Sequence, residues 1–229
     1  MSEPPPRYRA RACTASGCGL RFPVAEGSPL GERCPVCGAP TEWVDDGYRT
    51  HGAPPAARAG RLRLELLLDN VRSLRNVGSM FRTADGVGID HLHLGGVTPG
   101  PEHPKLAKTA LGAERSVPWS RHPDACRAAA ELRARGRELW ALEGGPRSVS
   151  LYQPEVDAAA RAWRRGDQAV VLVLGHEVSG VDPRIVDQCE RVVHLPMMGH
   201  KDSLNVSVTL GVAAYHLRFG IAPDPHEGP

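Results

Sequence analysis

Residues 195–217, LPMMGHKDSLNVSVTLGVAAYHL, join a polar Gly-containing loop to a long apolar helix. At about 100° per residue, that helix carries two apolar stripes. Val206, Leu210, Ala213 and Leu217 form one, and Leu204, Val208, Val212, Tyr215 and Phe219 form the other. A helix on the rim of a monomer needs only one such stripe to reach its core. Two stripes mean packing on the chain's own sheet and on a second surface. The preceding loop is rich in Gly, Ser and Asn, which suits close backbone approach to a ligand. The stretch therefore reads as a ligand loop joined to an oligomer helix.

Upstream of it, apolar runs of strand length fall at 62–68, 89–94, 138–142, 169–174 and 191–195, with a shorter one at 116–120. Helical patterns lie between them at about 76–86, 103–112, 123–135 and 182–190. Strands alternating with helices predict an α/β unit with a parallel sheet covered on both faces. Residues 49–60, RTHGAPPAARAG, read as a linker, and residues 1–48 are Pro-, Gly- and Cys-rich with little periodicity. The division is thus a small domain at 1–48, a linker at 49–60 and the α/β domain at 61–229. The 229 residues are 41% hydrophobic with a net charge of +2, so a true core is expected and bulk charge does not announce nucleic acid. No apolar run approaches the roughly 20 residues of a membrane span. The start, MSEPPPRYRA, has no apolar signal-peptide core, so a cytoplasmic location is expected.

Four of the six cysteines crowd the small domain. Cys13-x4-Cys18 and Cys34-Pro-Val-Cys37-Gly form two ligand pairs with a 15-residue spacer. In a CPxCG turn, successive N–H groups point at thiolate sulfur, and Gly38 permits the tight turn. Four thiolates suit a closed tetrahedral structural zinc site, and metal binding supplies folding energy to a segment too small for its own core. The expectation is a zinc ribbon on Cys13, Cys18, Cys34 and Cys37. Cys126 and Cys189 stand apart in helical patterns and read as small buried hydrophobes.

After the first strand, Val77, Met80, Phe81 and Ala84 place an apolar helix face against the sheet, with Arg75 and Arg82 on the opposite face. Asn76 is a candidate cap, and Gly86 and Gly88 end the pattern. These guanidinium forks stand beside the carboxyl end of a strand, where open α/β sheets bind ligands. They read as ligands of an RNA phosphate and a reacting hydroxyl or, as the pattern alone favours, as solvated surface arginines. Further on, Gly175-His176-Glu177-Val178-Ser179-Gly180 is a polar turn bracketed by glycines, with Asp182 and Pro183 opening a helix as N-cap and N1. Glu177 reads as a cation ligand, an anchor for an Arg, or a solvated turn residue. Zincin, nucleophile-elbow and phosphate-loop motifs do not occur in the sequence.

Three segments taken in order resemble the three motifs of the SpoU (TrmH-type) branch of the SPOUT RNA methyltransferases. They are Asn76-x-Gly78-x3-Arg82-Thr83-Ala84, then Gly175-x-Glu177-x2-Gly180, then Leu195-Pro196-Met197 with Ser203-Leu204-Asn205-Val206-Ser207-Val208. Thr109-Ala110-Leu111-Gly112-Ala113-Glu114 also looks like a family segment, and the likeness spans about residues 61–219. Thr209 stands where a small Ala is usual, and Met198 and His200 vary the loop.

The resemblance implies a parallel-sheet domain with a C-terminal trefoil knot, which periodicity cannot show, and a homodimer. It implies S-adenosylmethionine as methyl donor and a ribose 2'-hydroxyl of tRNA or rRNA as acceptor. By the same resemblance the donor contacts are Leu142, Glu143, Gly175, Leu195, Met197, Ser203 and Leu204. The catalytic set is Arg82, Asn76, Glu177, Ser203 and Asn205, with Asn76 orienting Arg82. A guanidinium does not readily give up its proton. Arg82 is therefore read as a clamp on the developing alkoxide, with an RNA phosphate or water taking the proton. Two other readings stay open: an RNA-binding or ribosome-assembly protein with little or no activity, and a base-methylating enzyme on the same fold. The ribbon is read either as an added RNA contact or as a purely structural element, since its arginines (Arg7, Arg9, Arg11, Arg21, Arg33) nearly balance its glutamates (Glu3, Glu26, Glu32, Glu42).

Overall fold

The computed structural model describes residues 6–49, 62–165 and 169–220. The expected linker therefore lies outside the described residues, apart from Arg49. Two compact units are distinguished, Met1–Ala57 and Arg58–Pro229.

The first unit is more regular than its composition implied. Strand β1 (Arg7–Cys13) pairs antiparallel with β2 (Arg21–Ala25), β3 (Thr41–Trp43) and β4 (Tyr48–Arg49). The sequence R-Y-R-A-R-A-C alternates with period two, so its arginines share one face. Arg49, assigned to the linker from sequence, instead pairs with Arg7.

The second unit is built on seven parallel strands. In chain order these are β5 (Arg63–Asp69), β6 (His91–Gly95), β7 (Trp119–His122), β8 (Glu138–Leu142), β9 (Val149–Ser150), β10 (Ala169–Leu174) and β11 (Arg191–His194). Their order in the sheet is β7-β6-β5-β10-β8-β11-β9. Strand β10, AVVLVL, lies in the middle and is buried along its whole length. One face packs Leu64, Leu66 and Leu172 under α1 (Leu74–Val87), α4 (Pro154–Arg165) and α6 (Val206–Tyr215). The other packs Leu67, Leu139 and Val173 under α3 (Ala125–Ala134) and the single turn α5 (Pro183–Val186). Each such Leu or Val contributes about 1.5–3 kcal/mol by leaving water.

Several elements depart from their patterns. The helix expected at 103–112 is only α2 (Ala107–Ala110) and a 3-10 turn at Ala113–Arg115. Leu111 (φ 54°) and Gly112 (φ 97°) break it, and the Thr109 hydroxyl donates to the Leu74 and Leu106 carbonyls. The pattern at 182–190 stops after one turn, because the N–H of Glu190 bonds to Leu139 and its carboxylate accepts from the Leu139 N–H. Helix α4 was unexpected; it is anchored by only three buried apolar side chains, Val156, Ala160 and Trp163. Cys126 and Cys189 are half-buried, and desolvation pushes the Cys189 thiol up to about 12, which makes it inert. On the α3 face, Glu65 is buried between Arg137 and His93, each 3.0 Å away, which satisfies an acid inside a strand.

Among the described residues no helix is long and apolar enough to cross a membrane.

Candidate active site and cysteine cluster

Three loops leave the carboxyl ends of the adjacent strands β10, β8 and β11 and meet around a cleft of about 620 Å³. That is the position where open α/β sheets bind small molecules. The β8 loop supplies Leu142 and Glu143, the β10 loop Gly175 and Glu177, and the β11 loop Leu195, Met197, Ser203, Leu204 and Asn205. All seven residues expected to touch a donor thus line one cavity.

The β10 loop is a tight reversal. His176 and Gly180 exchange two backbone hydrogen bonds of 3.0 and 2.9 Å, and Gly180 adopts φ +72°. The N–H groups of Val178 and Ser179 donate to His176 Nδ1 at 3.1 and 3.2 Å. A Cβ on Gly175 would overlap the backbone of Gly180, so only glycine fits there. Glu143, expected as a donor contact, also braces the turn: its Oε2 accepts the Val181 N–H at 2.9 Å.

Glu177 ties the three motif segments together. Its carboxylate accepts from the N–H groups of Arg72 (3.2 Å) and Ser73 (2.9 Å) and from Asn76 Nδ2 (3.0 Å). Asn76 Oδ1 in turn accepts from Asn205 Nδ2 at 3.0 Å. Asn205 caps α6 by accepting the Ser207 N–H at 2.9 Å. Burial raises the Glu177 pKa, but the Ser73 N–H, its own N–H, the Arg72 N–H and the Asn76 amide outweigh it and hold the carboxyl below its ordinary value. The carboxylate therefore stays charged at neutral pH. A group with a depressed folded pKa contributes stability above its unfolded pKa and loses it as pH falls through the folded value. The tie is released only in acid.

Three expectations meet a different arrangement here. Ser73, not Asn76, is the N-cap of α1, accepting the Asn76 N–H at 3.3 Å. No hydrogen bond joins Asn76 to Arg82; the Asn76 side chain bonds to Glu177 and Asn205 instead. Nor does Glu177 anchor an Arg side chain; main-chain N–H donors and one amide fill its oxygens. Ser203 lines the cleft and donates only to Asp202, at 3.2 Å.

Arg82 stands outside this network. It is exposed, and its side chain makes no hydrogen bond or ion pair with any described residue. Six residues of helix place it about 9 Å along the axis from Asn76. Gly86, four residues on and so on the same face, lies where a Cβ would be 3.0 Å from the Tyr215 hydroxyl. Tyr215 belongs to the second stripe of α6. That stripe is open: Leu204, Val208, Tyr215 and Phe219 are 43%, 49%, 48% and 43% exposed, whereas Leu210, Ala213 and Leu217 are buried. Sequence reading missed the Ser148–His194 pair at the cleft, 2.9 Å apart; the two are 46 positions apart and carry no local signal.

In the first unit the Sγ atoms of Cys13, Cys18, Cys34 and Cys37 all lie within 4.8 Å of one another. The Cys13–Cys37 and Cys18–Cys34 separations are 3.4 and 3.7 Å. A tetrahedron with metal–sulfur bonds of about 2.3 Å has edges of roughly 3.8 Å, so the set fits a four-coordinate ion. Gly38 turns at φ +73° and donates to the Cys34 carbonyl at 2.9 Å. The Cys37 N–H holds Cys34 down to about 7 against desolvation, with help from Val36. No other group of three or more such ligands occurs among the described residues.

Residues 63–215 match the sequence model of the SpoU rRNA Methylase family. The chain is 30% identical over 166 residues to the 23S rRNA (guanosine(2553)-2'-O)-methyltransferase RlmP of Bacillus subtilis, covering 72% of this chain and 61% of that protein. It superimposes on the A. aeolicus TrmH/SpoU tRNA modifying enzyme with a TM-score of 0.56 and 27% identity, over 69% of this chain and 75% of that one. The AdoMet-bound rRNA methyltransferase from Sinorhizobium meliloti shares the fold, with a TM-score of 0.60 at 24% identity over 70% of this chain and 57% of that one. The chain spans less than two thirds of the length of the curated relatives it matches.

Proposed function

The chain belongs to the SpoU rRNA methylase family, and on that premise we propose that it is an S-adenosylmethionine-dependent methyltransferase acting on a ribose 2'-hydroxyl of rRNA or tRNA in the cytoplasm. The observation that carries this is the Glu177–Asn76–Asn205 chain, which closes three distant segments around one cleft.

The cleft fits the donor. Its volume lies within the usual range for small-molecule sites, with apolar walls at Leu142, Leu195 and Met197 and a glycine-only wall at Gly175. When bound, S-adenosylmethionine supplies a methyl group on a positively charged sulfur that leaves without protonation. The chain must hold the ribose hydroxyl in line and stabilise the charge that grows on its oxygen. Glu177, Asn76 and Asn205 hold the loops, Ser203 faces the cleft, and Arg82 clamps the alkoxide and an RNA phosphate. The hydroxyl proton passes to phosphate or water.

The unit works as a homodimer. The open stripe of α6 is the second surface, and Arg82 borders it through Gly86 and Tyr215, so Arg82 serves the partner's cleft. The trefoil knot expected of residues 195–205 belongs to the same reading.

Calorimetry with S-adenosylmethionine, followed by nuclease digestion and mass spectrometry of treated RNA, tests this function. Wild type binds the donor and yields a 2'-O-methyl nucleoside. Gly175→Ala pushes a methyl into the Gly180 backbone, at about 1–3 kcal/mol or more, and donor binding falls at least about tenfold. Absence of donor binding in wild type overturns the reading; a methylated base replaces ribose with base as the target.

The cysteine cluster holds structural zinc. Elemental analysis of purified protein is expected to find about one zinc per chain, and chelation to unfold the first unit. Less than about half a zinc per chain refutes a structural site of this kind.

A further inference from the structure

The near-neutral charge of the first unit hides a segregated face. Because directly opposed residues of antiparallel strands share a side, the pairs Arg7–Arg49, Arg9–Val24 and Arg11–Trp43 place four arginines and one indole on the same side of the sheet. Arg7, Arg9 and Arg11 recur about every 6.8 Å along β1.

These cations are held rigidly yet poorly neutralised. Arg9 donates from Nε and Nη2 to the main-chain carbonyl of Asp45, at 3.2 and 3.1 Å. Arg11 donates to the hydroxyl and carbonyl of Thr41 at 2.7 and 2.8 Å. Both guanidinium groups stand over the Trp43 ring, at 4.8 and 4.4 Å from its centroid. The Asp45 carboxylate is taken by Arg21 and by the N–H groups of Ala10 and Gly47. Arg7 donates to the Asp46 carbonyl and reaches Glu26 at 3.8 Å in an exposed pair, and the Arg49 side chain has no hydrogen-bond or ion-pair partner among the described residues. Trp43 remains 39% exposed among them.

We propose that this face binds single-stranded RNA, with successive phosphates along Arg7, Arg9, Arg11 and Arg49 and an unpaired base against Trp43. Fixed charges at strand spacing beside an aromatic surface suit a backbone with splayed bases. An acidic peptide offers the charge but leaves Trp43 without a stacking partner, and the bases of a duplex cannot reach it. The proposal rests on the reading of the chain as an RNA-modifying enzyme and adds a second RNA contact outside the cleft.

The test is fluorescence anisotropy of the full chain with a labelled single-stranded RNA oligonucleotide across a salt series. Each neutralised phosphate contributes about 0.7 to the slope of log K against log salt. Arg49→Gln, at an exposed residue whose side chain has no partner among the described residues, is expected to lower affinity and reduce the slope by about 0.7. Trp43→Ala is expected to weaken binding at least about fivefold with less change of slope. Zinc content at the wild-type level shows that each variant is folded. Wild-type affinity and slope in Arg49→Gln, or equal loss of a duplex and a single strand, overturns the proposal. Donor calorimetry separates the two ideas: intact donor binding with an inert ribbon face overturns this site alone, whereas loss of donor binding overturns the enzymatic reading.

Discussion

Arg82→Ala is expected to slow methyl transfer at least about 100-fold, the loss seen when one donor to a developing oxyanion is removed. Donor affinity should stay at the wild-type value. The structure separates the two effects: Arg82 is exposed, its side chain makes no hydrogen bond or ion pair with a described residue, and it does not line the cleft of its own chain. Removing it neither opens the donor site nor unsatisfies a buried group, so no large fall in stability accompanies the loss. A guanidinium is a poor base because its pKa lies above about 12; the rate falls through lost charge stabilisation and RNA placement. Arg82→Lys keeps a charge but not the planar fork and is expected to recover only part of the rate. Single-turnover methylation with saturating donor is the measurement. Near wild-type turnover in the alanine variant would sink the role.

Val208→Asp is expected to convert the proposed homodimer to monomer. Val208 lies mid-stripe on α6 and is 49% exposed, whereas Val212, the other candidate from sequence, is half-buried. A carboxylate without a partner in an apolar interface costs several kcal/mol, so the dimer dissociation constant should rise at least about 100-fold. The monomer stays folded, because Leu210, Ala213 and Leu217 hold α6 to the core from its other side. Donor affinity should fall with dimerisation, since the loop before α6 lines the cleft. Sedimentation and calorimetry on the same sample report both. A stable monomer with full donor affinity would show that the stripe and the cleft are independent.

Much of this was legible in the sequence wherever the signal was local. The alternation of apolar runs with helical patterns predicted a parallel sheet, and the central run at 169–174 is the strand buried on both faces. The CPxCG turn marked the cysteine cluster, whose four sulfurs do converge. Asp182 and Pro183 marked a helix start, though not its length, because a tertiary contact of Glu190 ends the helix early. Where the signal was weak the reading failed. Four short strands in the first unit were hidden by turns and glycines, and the R-Y-R-A-R alternation passed as a charge count instead of a face.

The stretch at 195–217 shows where the division lies. Its two stripes are a property of the chain alone, because helical geometry sets side-chain direction once the residues are given. Which stripe faces inward is decided by tertiary packing: Leu210 and Leu217 join the buried core, whereas Val208 and Tyr215 stay about half exposed. The loop's composition announced a ligand. That Asn205 reaches Asn76, 129 positions earlier, and through it Glu177, depended on the ends of β5, β10 and β11 being brought to one edge of the same sheet. Hydrogen bonds between distant segments leave no periodic trace, so only the tertiary structure turns three short motifs into one cleft and leaves Arg82 outside it.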